Sequence, residues 1–288
     1  MTKSMTAFAR ESSTGPEGEL TWELRSVNHR YLEPFVRLSE DLRALEPAVR
    51  ERVAARVGRG KLDCNLRFTP VKGASGNLSI NRHYLAQLLA AGGEVAELLG
   101  RKSQPDPFDL LRWPGVLQDQ EPDLGPVMER ALALLDEALT SLVATREREG
   151  ARLARLIRER CDKLSVCASR VRERMPRVME GVRRRILDRL EEIRAELDPN
   201  RLEQELALLA QRLDVDEEMD RVDAHIAEVR SVLEGRDPVG RRLDFLMQEL
   251  NREANTLGSK SSDIEIARTA VEMKVLIEQM REQVQNIE

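Results

Sequence analysis

From about Val127 almost to its end, the chain repeats apolar residues at three- and four-residue spacing. Leu132, Leu135, Leu139 and Leu142 form one stripe, and Leu202, Leu206, Leu209 and Leu213 a second. Met219, Val222, Ile226, Val229 and Leu233 form a third; Ile266, Ala270, Met273, Ile277, Met280 and Val284 form a fourth. This period gathers each set on one helix face, and an apolar face is stable only against another. More than half of the chain must therefore pack helix on helix, with partner helices from the same chain or from another subunit. Aromatic residues at 3% and charged residues at 34% fit long, salt-laced helices better than a β-sandwich, and 41% apolar residues suffice for a core. Pro176 and Gly181 predict two helices, or one kinked helix, in the middle of the region. Gly150 costs a helix about 1 kcal/mol relative to alanine, so it marks a bend or the close approach of a backbone or ligand.

The N-terminal part has a different period. Leu20, Trp22 and Leu24 alternate with polar neighbours, as do Leu62, Cys64, Leu66 and Phe68. Period two marks strands with one buried face. Ser4 to Arg10 and Tyr31 to Leu38 are weaker strand candidates, and a helix is predicted from about Leu42 to Val57, closed by Gly58 and Gly60. A further helix follows over about Arg82 to Leu99. The segment from Ser103 to Pro126, with Trp113-Pro114-Gly115 at its centre, reads as a connector that packs by its few large residues. The expected fold is α+β: an N-terminal antiparallel β-sheet with a packed helix, then a long helical region ending in an antiparallel helical hairpin. The expected divisions are 1–125, a basic helical stretch over 126–200, and a C-terminal helical domain over 201–288.

Charge is unevenly placed within a net charge of −5. Arg146 to Arg189 holds fifteen Lys or Arg against seven Asp or Glu; Arg201 to Glu288 holds twelve against twenty. A polyanion can lie on the first stretch while cations neutralise the second; two solvated helix faces fit the same counts. Three cysteines without CxxC spacing predict reduced thiols in a cytoplasmic protein and no thiol-rich zinc site. No apolar run is long enough to span a bilayer, and no cleavable signal is expected near Met1.

The acidic third carries the residues best suited to chemistry. Glu218 and His225 lie two turns apart, beside the Met219–Val229 stripe. Glu249 and Glu253 lie one turn apart beside Leu243, Leu246 and Leu250. The loop Gly235 to Gly240 should fold the two helices back on each other, so that these hard donors converge on a divalent cation. Mn²⁺ or Mg²⁺ would suit such carboxylates, and neighbouring carboxylates also serve as acid–base groups. A flanking row of salt bridges fits the same spacing. Arg252 and Lys260, the latter in a predicted turn from Thr256 to Ser261, can hold phosphate. Arg25 and Arg30, Arg59 and Lys61, and Arg146 and Arg148 are further candidates for contact with a nucleic-acid backbone. Tyr31 is a candidate for stacking on a base.

Longer motifs add a resemblance. SerMetThrAlaPheAlaArg from Ser4, LeuArgSerValAsnHisArgTyrLeuGlu from Leu24 and ArgGlyLysLeuAspCysAsnLeuArgPhe from Arg59 resemble the N-terminal region of the YicC/YloC family. Val239 to Ser261 and the ending ValLeuIleGluGlnMetArgGluGlnValGlnAsnIleGlu resemble its C-terminal region. The resemblance implies a cytoplasmic, divalent-metal-dependent endoribonuclease, a hydrolase of phosphodiester bonds linked to RNA turnover. It also implies a ring-like homo-oligomer, a hexamer, closing on structured, hairpin-like RNA. No membrane and no nicotinamide or nucleotide cofactor is expected. Carried onto this sequence, the metal falls on Glu218, His225, Glu249 and Glu253, with His225, Glu249 and Glu253 as catalytic groups. A non-catalytic RNA-binding adaptor that delivers transcripts to another nuclease is the alternative. A ligand-free coiled-coil protein and a ferritin-like di-metal oxidase follow at a distance, the last because the usual Glu-x-x-His pair is missing.

Overall fold

The computed structural model describes residues 2–71, 79–100, 105–118, 124–192, 199–235, 239–261 and 263–288. Four strands form the N-terminal sheet: β1 (Ala7–Gly15), β2 (Gly18–Val27), β3 (Leu32–Arg37) and β4 (Gly60–Pro70), in the order β1-β2-β4-β3. β1, β2 and β4 pair antiparallel, whereas β3 runs parallel to β4. The expected all-antiparallel sheet is thus corrected to a mixed one. A 3-10 turn (Glu40–Leu45) and helix α1 (Glu46–Arg56) fill the connection between β3 and β4, and a helical crossover returns the chain in the same direction. The period-two residues behave as their spacing requires: Leu20, Trp22, Leu24, Leu62 and Cys64 are fully buried.

That buried face lies on the first part of α4 (Gly125–Glu192), a 68-residue helix about 100 Å long at 1.5 Å per residue. Leu135, Leu139 and Leu142 of α4 close the sheet core with Leu42, Val49 and Val53. Trp22 donates its indole N–H to the Ala131 carbonyl at 2.8 Å, which satisfies the one polar atom of the largest core side chain. Further along, Leu153, Ile157, Leu164 and Val171 belong to a second core, shared with α6 (Asp216–Glu234), α7 (Gly240–Lys260) and α8 (Ile264–Val284). The third and fourth stripes are buried there as their period predicts. α5 (Pro199–Leu213) precedes them; its Leu202, Leu206 and Leu209 are only half-buried and join neither core. α4 continues through Pro176 and Gly181, so of the two expected outcomes the split into two helices does not occur. A proline removes one N–H from a helix; here ion pairs from Arg172 and Arg174 to α6 and to Asp263 hold the flanking turn.

Residues 79–118 form a separate excursion: strands β5 (Ser79–Ile80) and β6 (Leu117–Gln118), helix α2 (Arg82–Leu98) and helix α3 (Pro107–Arg112). No residue of α2 is buried, and Phe108 and Trp113 stand exposed rather than packed as expected of the connector. Residues 103–104 and 119–123 of that connector lie outside the described residues.

The two cores are joined where residues 2–5 and 285–288 cross α4. Ser4 donates its backbone N–H to Arg146 O (2.9 Å), Met5 to Asn286 O (2.8 Å) and Glu288 to Lys3 O (2.9 Å). Arg146, 2% exposed, donates to Ser4 O at 2.7 Å, to Glu288 Oε2 at 2.6 Å and to Arg59 O at 3.3 Å. Gly150 sits one turn further, and a Cβ there would stand 2.1 Å from Thr2 O. Close approach of a backbone, of the alternatives the sequence allows, is the reason for this glycine. Gly150→Ala should therefore lower stability by about 1–3 kcal/mol through overpacking, despite alanine's better helix propensity. Thermal unfolding checks this: a rise in melting temperature would contradict the contact.

Candidate functional site

α6 begins with Asp216, Glu217 and Glu218, acids that complement the helix dipole at its first turn. α7 runs back beside it. Residues 236–238 of the predicted loop lie outside the described residues, but three cross-links fix the direction. Glu218 Oε1 lies 2.9 Å from Lys260 Nζ, Arg221 Nη1 lies 3.5 Å from Glu253 Oε1, and Arg242 pairs with Glu228. As the α6 partner advances, the α7 partner recedes, so the helices are antiparallel. The hairpin expected from the sequence is formed.

Glu218 and Glu253 are buried, at 5% and 3% exposure, deeper than the seam-edge position that their spacing predicts. Each carries a cation. Arg221 bridges Glu253 and Glu217; Glu217 first, then Glu253, hold its guanidinium above its ordinary value. Lys260 pairs with Glu218 and also donates to Asp214 O at 2.8 Å. Glu218 Oε2 is buried without a hydrogen-bond partner. His225 and Glu249 are half-buried and fall between the Arg221–Glu253 and Glu228–Arg242 cross-links, His225 on α6 and Glu249 on α7. Among the described residues, no three Asp, Glu, His or Cys side chains close around one point. Two of the four expected donors are thus held on one ribbon by arginine and lysine, because buried carboxylates take up the nearest cations. The unpartnered Oε2 of Glu218, with the Asp214 carbonyl that shares its Lys260 counter-ion, offers oxygen ligands of the kind that suit a hard cation keeping most of its waters.

The other candidates divide. Arg146 has its donors engaged inside the protein, so the structure gives it a structural role in place of RNA contact; burial lowers its guanidinium pKa and Glu288 raises it. Lys260 ends α7 rather than lying in a turn, and its ammonium faces Glu218. Arg59 is half-buried and donates to His29 O at 2.9 Å. Arg25, Arg30, Lys61, Arg148 and Arg252 are exposed. Arg25 pairs across the sheet with Phe8 on one side and Asp63 on the other, and Asp63 with Phe35. These residues, with Lys61 two places before Asp63, occupy the open face; the exposure of Phe8 and Phe35 was not read from the sequence. Arg30 lies over the Tyr31 ring at 5.2 Å.

Much of the α4 basic stretch answers the acidic third directly. Arg172 binds Asp220 and Asp223 at 2.8 and 2.7 Å, Arg170 binds Glu272 at 2.6 Å, and Arg230 of α6 binds Asp162 at 2.6 Å. Arg155, Lys163, Arg177, Arg183 and Arg189 stay exposed without an ion pair among the described residues. The cysteines are free and buried; burial pushes Cys64 up to about 12 and Cys161 to about 11, so neither is a thiolate nucleophile or a ready metal ligand.

Family comparison covers both halves. Residues 2–155 match "Endoribonuclease YicC-like, N-terminal region" and residues 171–288 match "Endoribonuclease YicC-like, C-terminal". The chain belongs to the YicC-like family. A "Probable endoribonuclease YicC" of Haemophilus influenzae is 46% identical over 288 residues, the full length of both chains. A protein of the same name from Clostridioides difficile is 31% identical over 293 residues, again across both full lengths. In this YicC-like chain the two matches meet on α4, close to where the helix passes from the sheet core to the helical core.

Asp263 fixes the turn after Lys260. Its carboxylate caps α8 by accepting from Glu265 and Ile266 N–H, and pairs with Arg174 at 3.0 Å. Arg174 first, then the Ile266 and Glu265 amides, hold the carboxyl below the usual range against a smaller upward push from burial. A depressed folded-state value stabilises above the unfolded carboxylate range, near about 3.9, and that stability is lost as pH falls through the folded value. Asp263→Asn keeps a capping oxygen but removes the charge. It should cost about 0.5–1 kcal/mol near neutrality, and the gap should close by about pH 2. Urea unfolding at both pH values checks this; a gap undiminished in acid would count against the charge.

Proposed function

We propose that this YicC-like protein is a divalent-metal-dependent endoribonuclease. The observation that carries the reading is full-length identity of 46% to a relative named as a probable endoribonuclease, with both family halves matched in order. The hairpin supports the metal part. Glu218 and Glu253, with Glu249 and His225 between the cross-links, are the residues that would hold Mn²⁺ or Mg²⁺. When bound, such an ion supplies Lewis acidity at a phosphoryl oxygen. Glu249 and His225, less buried than Glu253, would accept or return a proton at the attacking and leaving oxygens. The attacking oxygen is that of water or of a ribose 2′-hydroxyl.

RNA contact falls to the exposed cations. Arg252 lies beside Glu253 on α7 but on its solvent side, and Arg148 and the arginines of α4 without an ion pair among the described residues supply further positive charge. Arg25, Arg30 and Lys61 do so at the sheet. Phosphate contacts of this kind hold an RNA hairpin by shape and backbone without reading its sequence. The reading includes self-association, as a hexamer, and cytoplasmic residence. The uncovered apolar side chains of α2 and α3, among them Leu98 at 87% and Phe108 at 72% exposure, support subunit contact. Three free thiols fit a reducing compartment, and no helix among the described residues is long and apolar enough to cross a membrane.

Glu249→Ala and Glu253→Gln should each lower cleavage of a hairpin RNA by about 100-fold or more, with RNA affinity in a gel-shift assay run in chelator nearly unchanged. Unchanged cleavage by rigorously purified variants would favour the adaptor reading or another site. Arg252→Ala should weaken RNA binding and reduce its salt dependence.

A further inference from the structure

Two buried carboxylates on the hairpin are compensated in different ways. Glu253 faces Arg221, a planar guanidinium also held by Glu217. Glu218 faces Lys260, whose only other partner among the described residues is the Asp214 carbonyl. Lys260 keeps 32% of its side chain exposed, while Glu218 keeps 6%. The ammonium thus lies on the solvent side of a buried carboxylate. Only one oxygen of that carboxylate is satisfied, since Oε2 is buried without a partner. A buried anion needs a positive neighbour, and an ammonium is a point charge on a flexible stem. A divalent cation brings twice the charge and can use both oxygens.

We propose that Lys260 is an exchangeable counter-ion. It neutralises Glu218 in the absence of a divalent cation and is displaced when one enters. The released ammonium turns to solvent at the mouth of the site, where it takes a phosphate oxygen of bound RNA. Lys260 then contributes twice, as a competitor for the metal site and as a phosphate contact once the metal is in place. The exchange couples the two ligands: metal raises RNA affinity, and by reciprocity RNA raises metal affinity. Arg221 stays in place, because Glu217 holds it independently of Glu253. This inference rests on the metal-dependent reading above.

The test is Mn²⁺ titration of the full-length protein by calorimetry, comparing wild type with Lys260→Met and Glu218→Gln. A second measurement follows binding of an uncleavable 2′-O-methyl hairpin RNA with Mn²⁺ or with chelator. Lys260→Met should bind Mn²⁺ about tenfold tighter than wild type, because its competitor is gone. The gain in RNA affinity on adding Mn²⁺ should shrink toward one in this variant. Glu218→Gln should lose most Mn²⁺ affinity. In chelator Lys260→Met should melt below wild type, and Mn²⁺ should raise its melting temperature by more. If Lys260→Met does not fold in chelator, Lys260→Gln, which keeps a donor toward Glu218 without charge, replaces it in every measurement. Wild type and variant with equal Mn²⁺ affinity, or a variant that binds more weakly, overturns the exchange while leaving the metal reading intact. A wild-type protein that takes up no Mn²⁺ overturns both.

Discussion

The Arg146 guanidinium is the point through which the two halves hold each other. It is buried on α4 and reaches one carbonyl before β1, one between α1 and β4, and the carboxylate of Glu288. Removing it would leave Glu288 and two carbonyls without their donor inside the protein, which is the costly way to break a buried ion pair. Backbone hydrogen bonds of Ser4, Met5 and Glu288 close the same clasp, and Gly150 lets the strand lie against the helix. The clasp also feeds the helical core, because Ile287 is buried there. It ties the sheet and the helical hairpin to each other and to α4, the one continuous helix that runs through both cores.

Charge segregation along the sequence has a structural meaning as well as a functional one. Arg170, Arg172 and Arg174 meet acids of α6, of α8 and of the α8 cap. These pairs are partly exposed, so each is worth little alone, and their effect is on register more than on stability. What remains positive on α4 is the set without a carboxylate partner. A count of charges per segment cannot separate paired from free cations; only the partner helix does that.

Periodicity made most of the fold legible. The stripes in α4, α6 and α8 and the alternation in β2 and β4 were readable because one-sided burial leaves a period. The parallel β3 was not, since strand direction depends on the crossover and not on the strand's own residues. Continuity of α4 through Pro176 depends on acids far away in sequence. At the hairpin, the acids were legible as a set beside the seam, but their burial and their counter-ions were not. Glu218 to Lys260 spans 42 positions, and no local pattern announces that pairing. Arg146 looked like any other arginine of a basic stretch; Gly150, one turn on, was the signal that a backbone crosses there.

The clasp and the candidate site lie at opposite ends of the same hairpin. Thr2 Oγ1 donates to Leu233 O near the end of α6, and Ile287 O would stand 2.8 Å from a Cβ at Gly240, the start of α7. Glu218 and Lys260 are at the far end, about 25 Å away at the rise of an α-helix. That far end is secured separately, by Arg172 of α4 pairing with Asp220 and Asp223 of α6 and by Asp263 at the α8 cap. With both ends fixed, exchange of one ammonium needs no movement of the helices. The side chain has a flexible stem, and the carboxylate below it stays held by packing. A site built this way would let the proposed cation exchange proceed while the exposed cations proposed to meet RNA keep their positions, so that the two proposed binding events could reinforce each other.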